Sequence, residues 1–245
     1  MMLRFYTPAD RKKSFFNLYR IESVEDYIES ISKLNIESNR LKGQHNIHPD
    51  YKFIEDYLYK LIDKSGRVCF LGVFDLVKEA GFINKYPHKT FLVGDVSKKA
   101  LSCLGEHYPN LQICETTMDN FEAQPDDLII INVAEYFLTQ EQLSTFVSGG
   151  GAVILNNVHL YTPGFRWMLY SGVQEIRALC LNMLTYVSGC KQWQFRGWWR
   201  TVDDFVFAAS GTGKYVKAIV FNQQISRHTK FGMLHRAMVH FENES

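Results

Sequence analysis

Two residues that follow short apolar runs are the first candidates for chemistry in this sequence. Gly72 follows the run at residues 67–71, and Asp95 follows a second run at residues 90–94, 23 residues after the glycine. In open α/β sheets the ligand lies beyond the carboxyl ends of the strands, and a ribose-binding carboxylate stands about 20 residues after the first strand–helix turn. Asp95 is therefore a candidate ligand-binding carboxylate. A second interpretation is that Asp95 or Ser97 only caps the next helix.

The turn after the first apolar run does not match the common nucleotide-binding loops. Residues 72–77 read Gly-Val-Phe-Asp-Leu-Val, with one glycine where a G-x-G-x-x-G loop has three. A dinucleotide needs those glycines because its pyrophosphate approaches bare backbone at a helix N-terminus. The P-loop pattern G-x-x-x-x-G-K-[ST] is also missing, since residues 210–214 match only its end. We therefore expect no nicotinamide or flavin dinucleotide.

Aromatic and basic residues are concentrated between residues 158 and 200. All four tryptophans of the chain lie there, with five arginine and lysine residues against a single acid, Glu175. Long connections in compact domains are usually lids or binding elements, so this segment is predicted to cap an active site. Flat aromatic faces edged with guanidinium groups suit a planar or anionic small molecule. The residues expected to contact it are Arg166, Trp167, Trp198 and Arg200.

The same segment has a second interpretation. Its aromatic residues could instead bury an extra helix at residues 163–188 against the core or against a second subunit. Apolar faces on insertions are typical of dimer surfaces, so a homodimer through residues 158–200 is an open alternative.

The elements that position these residues follow a strand–helix alternation. Apolar strands are predicted near residues 67–71, 90–94, 111–114, 127–133 and 151–155, with helices between several of them. Strands that are apolar throughout are buried on both faces, which indicates a parallel sheet with right-handed crossovers. Two final strands at residues 215–221 and 231–241 are joined by a polar turn of about nine residues, so we expect them to pair antiparallel. The predicted fold class is a doubly wound α/β sheet of seven strands, mostly parallel with an antiparallel final strand.

Residues 1–66 precede this core and are predicted to form a helical extension. Apolar residues recur at helical spacing within residues 27–34 and again within residues 53–61. The core is expected at residues 67–245, with the cap as an insertion at residues 158–200.

Composition and charge narrow the classes of function. The chain has 245 residues, 46% of them apolar, and its 27 basic and 26 acidic side chains nearly cancel. A non-specific binder of nucleic acid or of an anionic membrane would have a strong positive excess, so neither partner is expected. The five cysteines show no metal-binding spacing, and no apolar run approaches the roughly 20 residues of a membrane span. We expect a cytoplasmic protein with no metal site, since the N-terminus also lacks the pattern of an export signal.

Three stretches share a pattern with one known family. Residues 91–97 (FLVGDVS), 127–137 (DLIIINVAEYF) and 195–205 (FRGWWRTVDDF) are similar to its second strand, its fourth strand with the following loop, and the segment before its sixth strand. From residue 67 to residue 242 the chain resembles the class I S-adenosylmethionine-dependent methyltransferases that act on small molecules. The resemblance implies S-adenosylmethionine as cofactor, with the Asp95 carboxylate on its ribose hydroxyls. The implied cofactor-binding residues are Gly72, Phe74, Asp95, Val96, Thr117, Met118 and Asn132.

The first motif departs from the family pattern. Phe70 stands in place of its acidic residue, Gly72 keeps one glycine, and Phe74 and Leu76 replace two others. The methyl donor carries no phosphate, so its loop needs room for a methionine group rather than a row of bare amides. Against this, Phe74 lies where the chain would pass close to the ligand. A catalytically inactive methyltransferase-fold protein that serves as a binding or scaffold subunit is therefore the alternative function.

Methyl transfer requires little beyond positioning, with a general base where the acceptor is a hydroxyl. His159 is the first candidate base because its ordinary pKa lies near 6.5. Glu135 and Tyr136, after the fourth strand, are alternatives. A packed, non-catalytic histidine is a second interpretation of His159. A methyltransferase acting on RNA is disfavoured because the chain lacks an N-P-P-Y-like motif.

Overall fold

The apolar runs of the sequence form the central strands of one mixed sheet. The computed structural model describes residues 3–8, 46–73, 76–108, 111–132, 134–135, 138–162, 193–229 and 232–244. The strands are β1 (Leu3–Pro8), β2 (Arg67–Leu71), β3 (Thr90–Asp95), β4 (Gln112–Glu115), β5 (Asp127–Asn132), β6 (Ala152–Thr162), β7 (Trp193–Trp199), β8 (Lys214–Thr229) and β9 (Gly232–Asn243). The helices are α1 (Pro49–Lys52), α2 (Glu55–Lys64), α3 (Ala80–Lys85), α4 (Lys98–His107), α5 (Gln140–Ser148) and α6 (Val202–Ala209), with a 3₁₀ turn at Met118–Asn120.

The sheet has the predicted architecture. Its strand order is β4-β3-β2-β5-β6-β9-β8, which is 3-2-1-4-5-7-6 when its own seven strands are numbered along the chain. The pairs from β4 to β6 are parallel, and β9 runs antiparallel to both β6 and β8. Since the winding reverses between β2 and β5, the carboxyl ends of these two strands define the ligand-binding edge of such a sheet.

The two faces of the sheet bury separate apolar clusters. Alternate residues of β2 point to opposite faces, so Phe70 joins the cluster under α1 to α4 while Leu71 joins the cluster under α5 and α6. Phe70 is fully buried and stacks on Phe91, with ring centroids 5.9 Å apart. Tyr51 and Leu58, from the predicted N-terminal extension, lie in the same cluster as Phe70. In the described part of the chain the extension therefore shares the core of the sheet.

Two connections differ from the sequence-based prediction. Residues 74–80 were predicted to form the start of a helix, but the chain makes turns at residues 76–79, with Leu76 at a φ of 58°, and α3 begins only at Ala80. The strands β8 and β9 are longer than predicted, so two residues join them instead of about nine. The polar residues that indicated a long turn belong to the two strands, because their backbones extend the antiparallel pairing of β8 with β9.

A second, two-stranded sheet was not predicted. β1 pairs antiparallel with β7, with Leu3 opposite Trp199 and Pro8 opposite Trp193. β7 ends beside β6, where Arg200 bridges to Leu160. The predicted helices at residues 27–34 and 163–188 lie outside the described residues.

Candidate functional site

The candidate site begins where β2 and β3 end. Gly72 has a φ of 67°, a left-handed conformation that favours glycine, and its amide donates to the Gly94 carbonyl oxygen at 2.9 Å. A Cβ atom at Gly72 would lie 3.3 Å from the Cβ atom of Ala134. Gly72 therefore lets the chain pass close to the loop after β5, which explains why a glycine is required at this position of the turn.

Asp95 lies at the end of β3 with only 2% of its surface exposed. Its Oδ1 atom accepts a hydrogen bond from the Ser97 amide at 3.0 Å, just before α4 begins. This contact is the one expected from the helix-cap interpretation. A carboxylate has two oxygens with about four acceptor positions, so this bond is compatible with a ribose contact through the same group.

A cavity of about 610 Å³ runs along β3 and β4 and reaches their carboxyl edge at Val96, the residue after Asp95. It is lined at this edge by Val96, Thr116 and Thr117, and it extends past Cys114 to Arg67. Its volume is within the range of about 300–1,000 Å³ typical of small-molecule sites. The Thr117 hydroxyl oxygen is buried and has no hydrogen-bond partner within the described part of the chain. A polar ligand group in this cavity would satisfy it.

Met118 was predicted to flank the cofactor together with Thr117. It begins the 3₁₀ turn after β4, and its side chain packs against the apolar cluster under α5 and α6. This placement matches the common role of methionine as filler of an apolar core.

Amide side chains meet where β5 ends, beside a bulge within β6. The Asn156 and Asn157 Nδ2 atoms both donate to the Asn132 Oδ1 atom, at 3.1 and 3.3 Å, and both donate to the Asp50 carbonyl oxygen at 3.1 Å. Asn157 has a φ of 55°, and the pairing of β6 with β9 shifts register between Leu155 and Val158. This β-bulge re-aims the two asparagines toward α1. Asn132 therefore lies at the predicted edge, as a partner of α1.

Three ionisable groups lie on the β6 side of this edge. Glu135 is 2% exposed, and burial raises the pKa of its carboxyl, although the charges of Arg200 and Arg236 lower it in part. His159 follows the bulge, and burial together with the charge of Arg236 lowers its pKa to about 3. Arg236 on β9 bonds through Nη1 to the Asn157 carbonyl oxygen at 2.7 Å and lies 3.3 Å from His159 Nδ1. Glu135 is therefore the stronger base of the two predicted candidates described by the structure.

Arg200 does not have the environment expected of a substrate ligand. It is 1% exposed, and its guanidinium donates to the carbonyl oxygens of Glu135, at 3.1 Å, and of Leu138. Its Nε atom donates to the Gln140 side chain at 3.4 Å. These contacts shape the loop between β5 and α5, so the structure assigns Arg200 to positioning this loop. The arginines between residues 158 and 200 look alike in the sequence, so the sequence alone did not distinguish Arg200 from the others.

The remaining predicted site residues are only partly described. Phe74, Tyr136, Arg166 and Trp167 lie outside the described residues, and Trp198 is described through its backbone in β7, opposite Arg4.

Several residues near the site were missed. Asp50, Asn157 and Arg236 lie outside the recognised motifs, and Lys78 directly follows the loop at residues 72–77. Of these positions, only the tandem asparagines after an apolar run stand out in the sequence. Among the described residues, no three metal-binding side chains of His, Cys, Asp or Glu come together. Within the same residues, no helix is long and apolar enough to cross a membrane.

Comparisons with known proteins identify the fold. No family model and no curated protein sequence matches the chain. Among solved structures, it is similar to the 1,6-didemethyltoxoflavin-N1-methyltransferase of Burkholderia thailandensis, crystallised with its substrate and S-adenosylhomocysteine. The TM-score is 0.54 at 8% identity, over 99% of this chain and 96% of that one.

Two further structures show the same likeness. Geranyl diphosphate C-methyltransferase from Streptomyces coelicolor gives a TM-score of 0.53 at 8% identity, over 90% of this chain and 97% of that one. A SAM-dependent methyltransferase from Leishmania major gives 0.52 at 12% identity, over 89% and 82%. Together with the strand order, these likenesses show that the chain has the class I S-adenosylmethionine-dependent methyltransferase fold, which confirms the predicted fold.

Proposed function

We propose that this protein transfers a methyl group from S-adenosylmethionine to a small molecule. The observation that carries the proposal is the cavity that runs along β3 and β4 and reaches their carboxyl edge at Val96, Thr116 and Thr117, in a sheet of this fold. Two structural neighbours were crystallised with S-adenosylhomocysteine, the product of that cofactor. The residues present fit an adenosyl group, because a buried carboxylate lies next to the apolar Val96, and the Thr117 hydroxyl oxygen has no hydrogen-bond partner among the described residues.

The contacts proposed for the cofactor use these residues. Asp95 would accept hydrogen bonds from the ribose hydroxyls, and Val96 and Thr117 would contact the adenine. Gly72 would leave room for the chain to pass the ligand closely, and Asn132 would lie at the reacting end. S-adenosylmethionine supplies an electrophilic methyl group on a positively charged sulfur.

Glu135 is the residue we propose as general base. Its raised pKa makes it a better proton acceptor than an ordinary carboxylate, since base strength increases with pKa. The pKa of His159, at about 3, makes that imidazole a weak base although it is uncharged at neutral pH. We propose that the molecule that accepts the methyl group is planar or anionic. Residues 158–200 are rich in aromatic and basic residues, and Arg236 is an additional basic residue near the site.

Titration with S-adenosylhomocysteine tests the proposal. Ligand at 100 times its dissociation constant adds about 2.7 kcal/mol to stability, which raises the melting temperature by about 5–10 °C for a chain of this size. An Asp95→Asn variant keeps the acceptor for the Ser97 amide but loses the charge, so it should reduce this shift. Asp126→Asn, at an exposed aspartate before β5, is the matched control. No shift of the wild-type protein at millimolar ligand would refute cofactor binding.

The second candidate is a protein of this fold without catalysis, which serves as a binding subunit. The bond between Asp95 and the Ser97 amide favours it, because it gives the carboxylate a purely structural role. In that case Asp95→Asn and Asp126→Asn would respond alike in the titration with S-adenosylhomocysteine. Under the first candidate, Glu135→Gln should abolish methyl transfer while leaving S-adenosylhomocysteine binding unchanged.

A further inference from the structure

An ion pair lies near the carboxyl end of β5 and the bulge of β6, and its two residues belong to no recognised motif. The Lys78 Nζ atom is 2.7 Å from the Asp50 Oδ2 atom, and the two side chains are 38% and 27% exposed. Asp50 is in the first turn of α1, whereas Lys78 belongs to the turns between β2 and α3. Two opposite charges from distant parts of the chain therefore meet beside Asn132.

Neighbouring contacts hold both charges in place. The Asn156 and Asn157 amides donate to the Asp50 carbonyl oxygen, and the Asn132 side chain contributes to lowering the pKa of the Asp50 carboxyl. The residues next in sequence are also joined, since the Tyr51 hydroxyl donates to the Glu79 Oε1 atom at 2.8 Å in a buried contact. α1 and the turn that carries Lys78 are thus fixed to each other and to the edge of the sheet.

The stability of the fold does not account for this arrangement. Partly exposed ion pairs contribute about 0–1 kcal/mol, yet the backbone of Asp50 is also held by two asparagine side chains. Burial raises the pKa of Asp50, but the hydrogen bond and charge of Lys78, with a smaller effect of His48, hold it below its ordinary value. The Asp50 carboxylate is therefore charged at neutral pH, and both side chains of the pair are partly exposed to solvent.

The degenerate first motif leaves a chemical requirement unmet. The methyl donor ends in an amino acid, whose ammonium and carboxylate groups are adjacent and of opposite charge. Phe70 occupies the position of the family's acidic residue, but its ring is buried between Phe91 and Phe82 and contributes no charge to the edge. A substitute must place an acid and a base a few ångströms apart near the end of β5.

We propose that Asp50 and Lys78 bind the ammonium and carboxylate groups, respectively, of the amino-acid end of the methyl donor. The inference rests on the proposed function. Asn156 adds to it, because its Oδ1 atom is buried and accepts no hydrogen bond from the described residues, which leaves an acceptor beside Asp50 for an ammonium donor.

Calorimetric titration with two ligands tests the proposal. S-adenosylhomocysteine carries the amino-acid end, and 5′-methylthioadenosine has the same adenosyl thioether without it. We expect the wild-type protein to bind the first at least tenfold more tightly. Asp50→Asn and Lys78→Met should each weaken it by about tenfold to a hundredfold, the effect of one charge-assisted hydrogen bond. Both variants should bind 5′-methylthioadenosine as the wild type does, which also shows that they are folded.

Two control variants and two contrary outcomes complete the test. Asp56→Asn and Lys52→Met remove the same charges from exposed positions on α2 and α1, and they should leave both affinities unchanged. Equal wild-type affinity for the two ligands, or an equal loss of both in the Asp50 and Lys78 variants, would overturn the assignment while cofactor binding stood. A wild-type protein that binds neither ligand would instead refute the proposed function itself.

Discussion

The loop between β5 and α5 should depend on one buried side chain, Arg200. Replacing it by methionine keeps an unbranched apolar stem but leaves the carbonyl oxygens of Glu135 and Leu138 buried without their donor. Breaking a buried charged network of this kind costs about 3–5 kcal/mol. Because domains are stable by about 5–15 kcal/mol, we expect Arg200→Met to lower the urea midpoint by about 1–2 M.

The pH dependence separates the charge effect from simple packing. Burial raises the pKa of Glu135, and the charge of Arg200 opposes that rise. A carboxyl whose pKa is raised in the folded state loses its contribution to stability as pH rises through that pKa. Removing Arg200 raises the pKa further, so the variant should lose more stability than the wild type between pH 5 and pH 9. Glu135→Gln should then stabilise the Arg200→Met protein more than it stabilises the wild type.

Urea unfolding followed by circular dichroism, over this pH range, measures all four members of the cycle. We expect a coupling energy of about 1–2 kcal/mol between Arg200 and Glu135 at pH 9, and none at pH 4. Lys217→Met is the control, since Lys217 pairs with Glu242 at the surface and should cost under about 1 kcal/mol. An Arg200→Met midpoint within about 0.3 M of the wild type would refute the positioning role.

Three further predictions concern the frame of the sheet. Burial lowers the pKa of the fully buried His240 to about 4, so between pH 6.5 and pH 4 the His240→Gln variant should lose about 3 kcal/mol less stability than the wild type. Gly151→Ala should destabilise far more than Gly211→Ala in thermal unfolding, because both glycines have positive φ but a Cβ atom at Gly151 would lie 2.2 Å from a carbonyl oxygen. Asp127 accepts two hydrogen bonds from Arg67, and these bonds hold the pKa of the Asp127 carboxyl low although burial raises it. Asp127→Asn should therefore lower the free energy of unfolding by about 2 kcal/mol at pH 7 and by less at pH 3.

The order of the sheet was predictable because burial on both faces is visible in the residues themselves. β2 and β5 are apolar along almost their whole length, and the register places Val68 to Leu71 directly beside Leu128 to Ile131. The start of α6 was readable for a different reason, since Thr201 and Asp204 form a capping box through mutual backbone bonds. Local chemistry and burial pattern agree in these elements.

Other parts of the structure depend on partners that are distant in sequence. β1 becomes a strand through pairing with β7, nearly two hundred residues away, and nothing in residues 3–8 specifies that partner. The length of β8 and β9 is likewise set by pairing, which overrides the polar residues near residue 225. Arg200 and Arg236 look alike in the sequence, and only their hydrogen-bond partners distinguish them. Arg200 bonds the loop between β5 and α5, whereas Arg236 bonds the Asn157 carbonyl oxygen beside His159.

The proposed cofactor site and the proposed role of Asp50 and Lys78 depend on the same question: whether the end of a strand or the segment packed on it supplies the backbone contact and the charge. In the family pattern the end of the first strand supplies both close backbone approach and negative charge. Here Gly72 keeps the backbone function, whereas the side chain at Phe70 serves the core. Charge at this edge is then proposed to come from α1 and from the turns between β2 and α3, through Asp50 and Lys78, and two asparagines of β6 connect α1 to the sheet. Asp50 keeps its place only while α1 stays docked, and because Tyr51 of α1 is fully buried in the core cluster, undocking of α1 would remove core packing together with this charge.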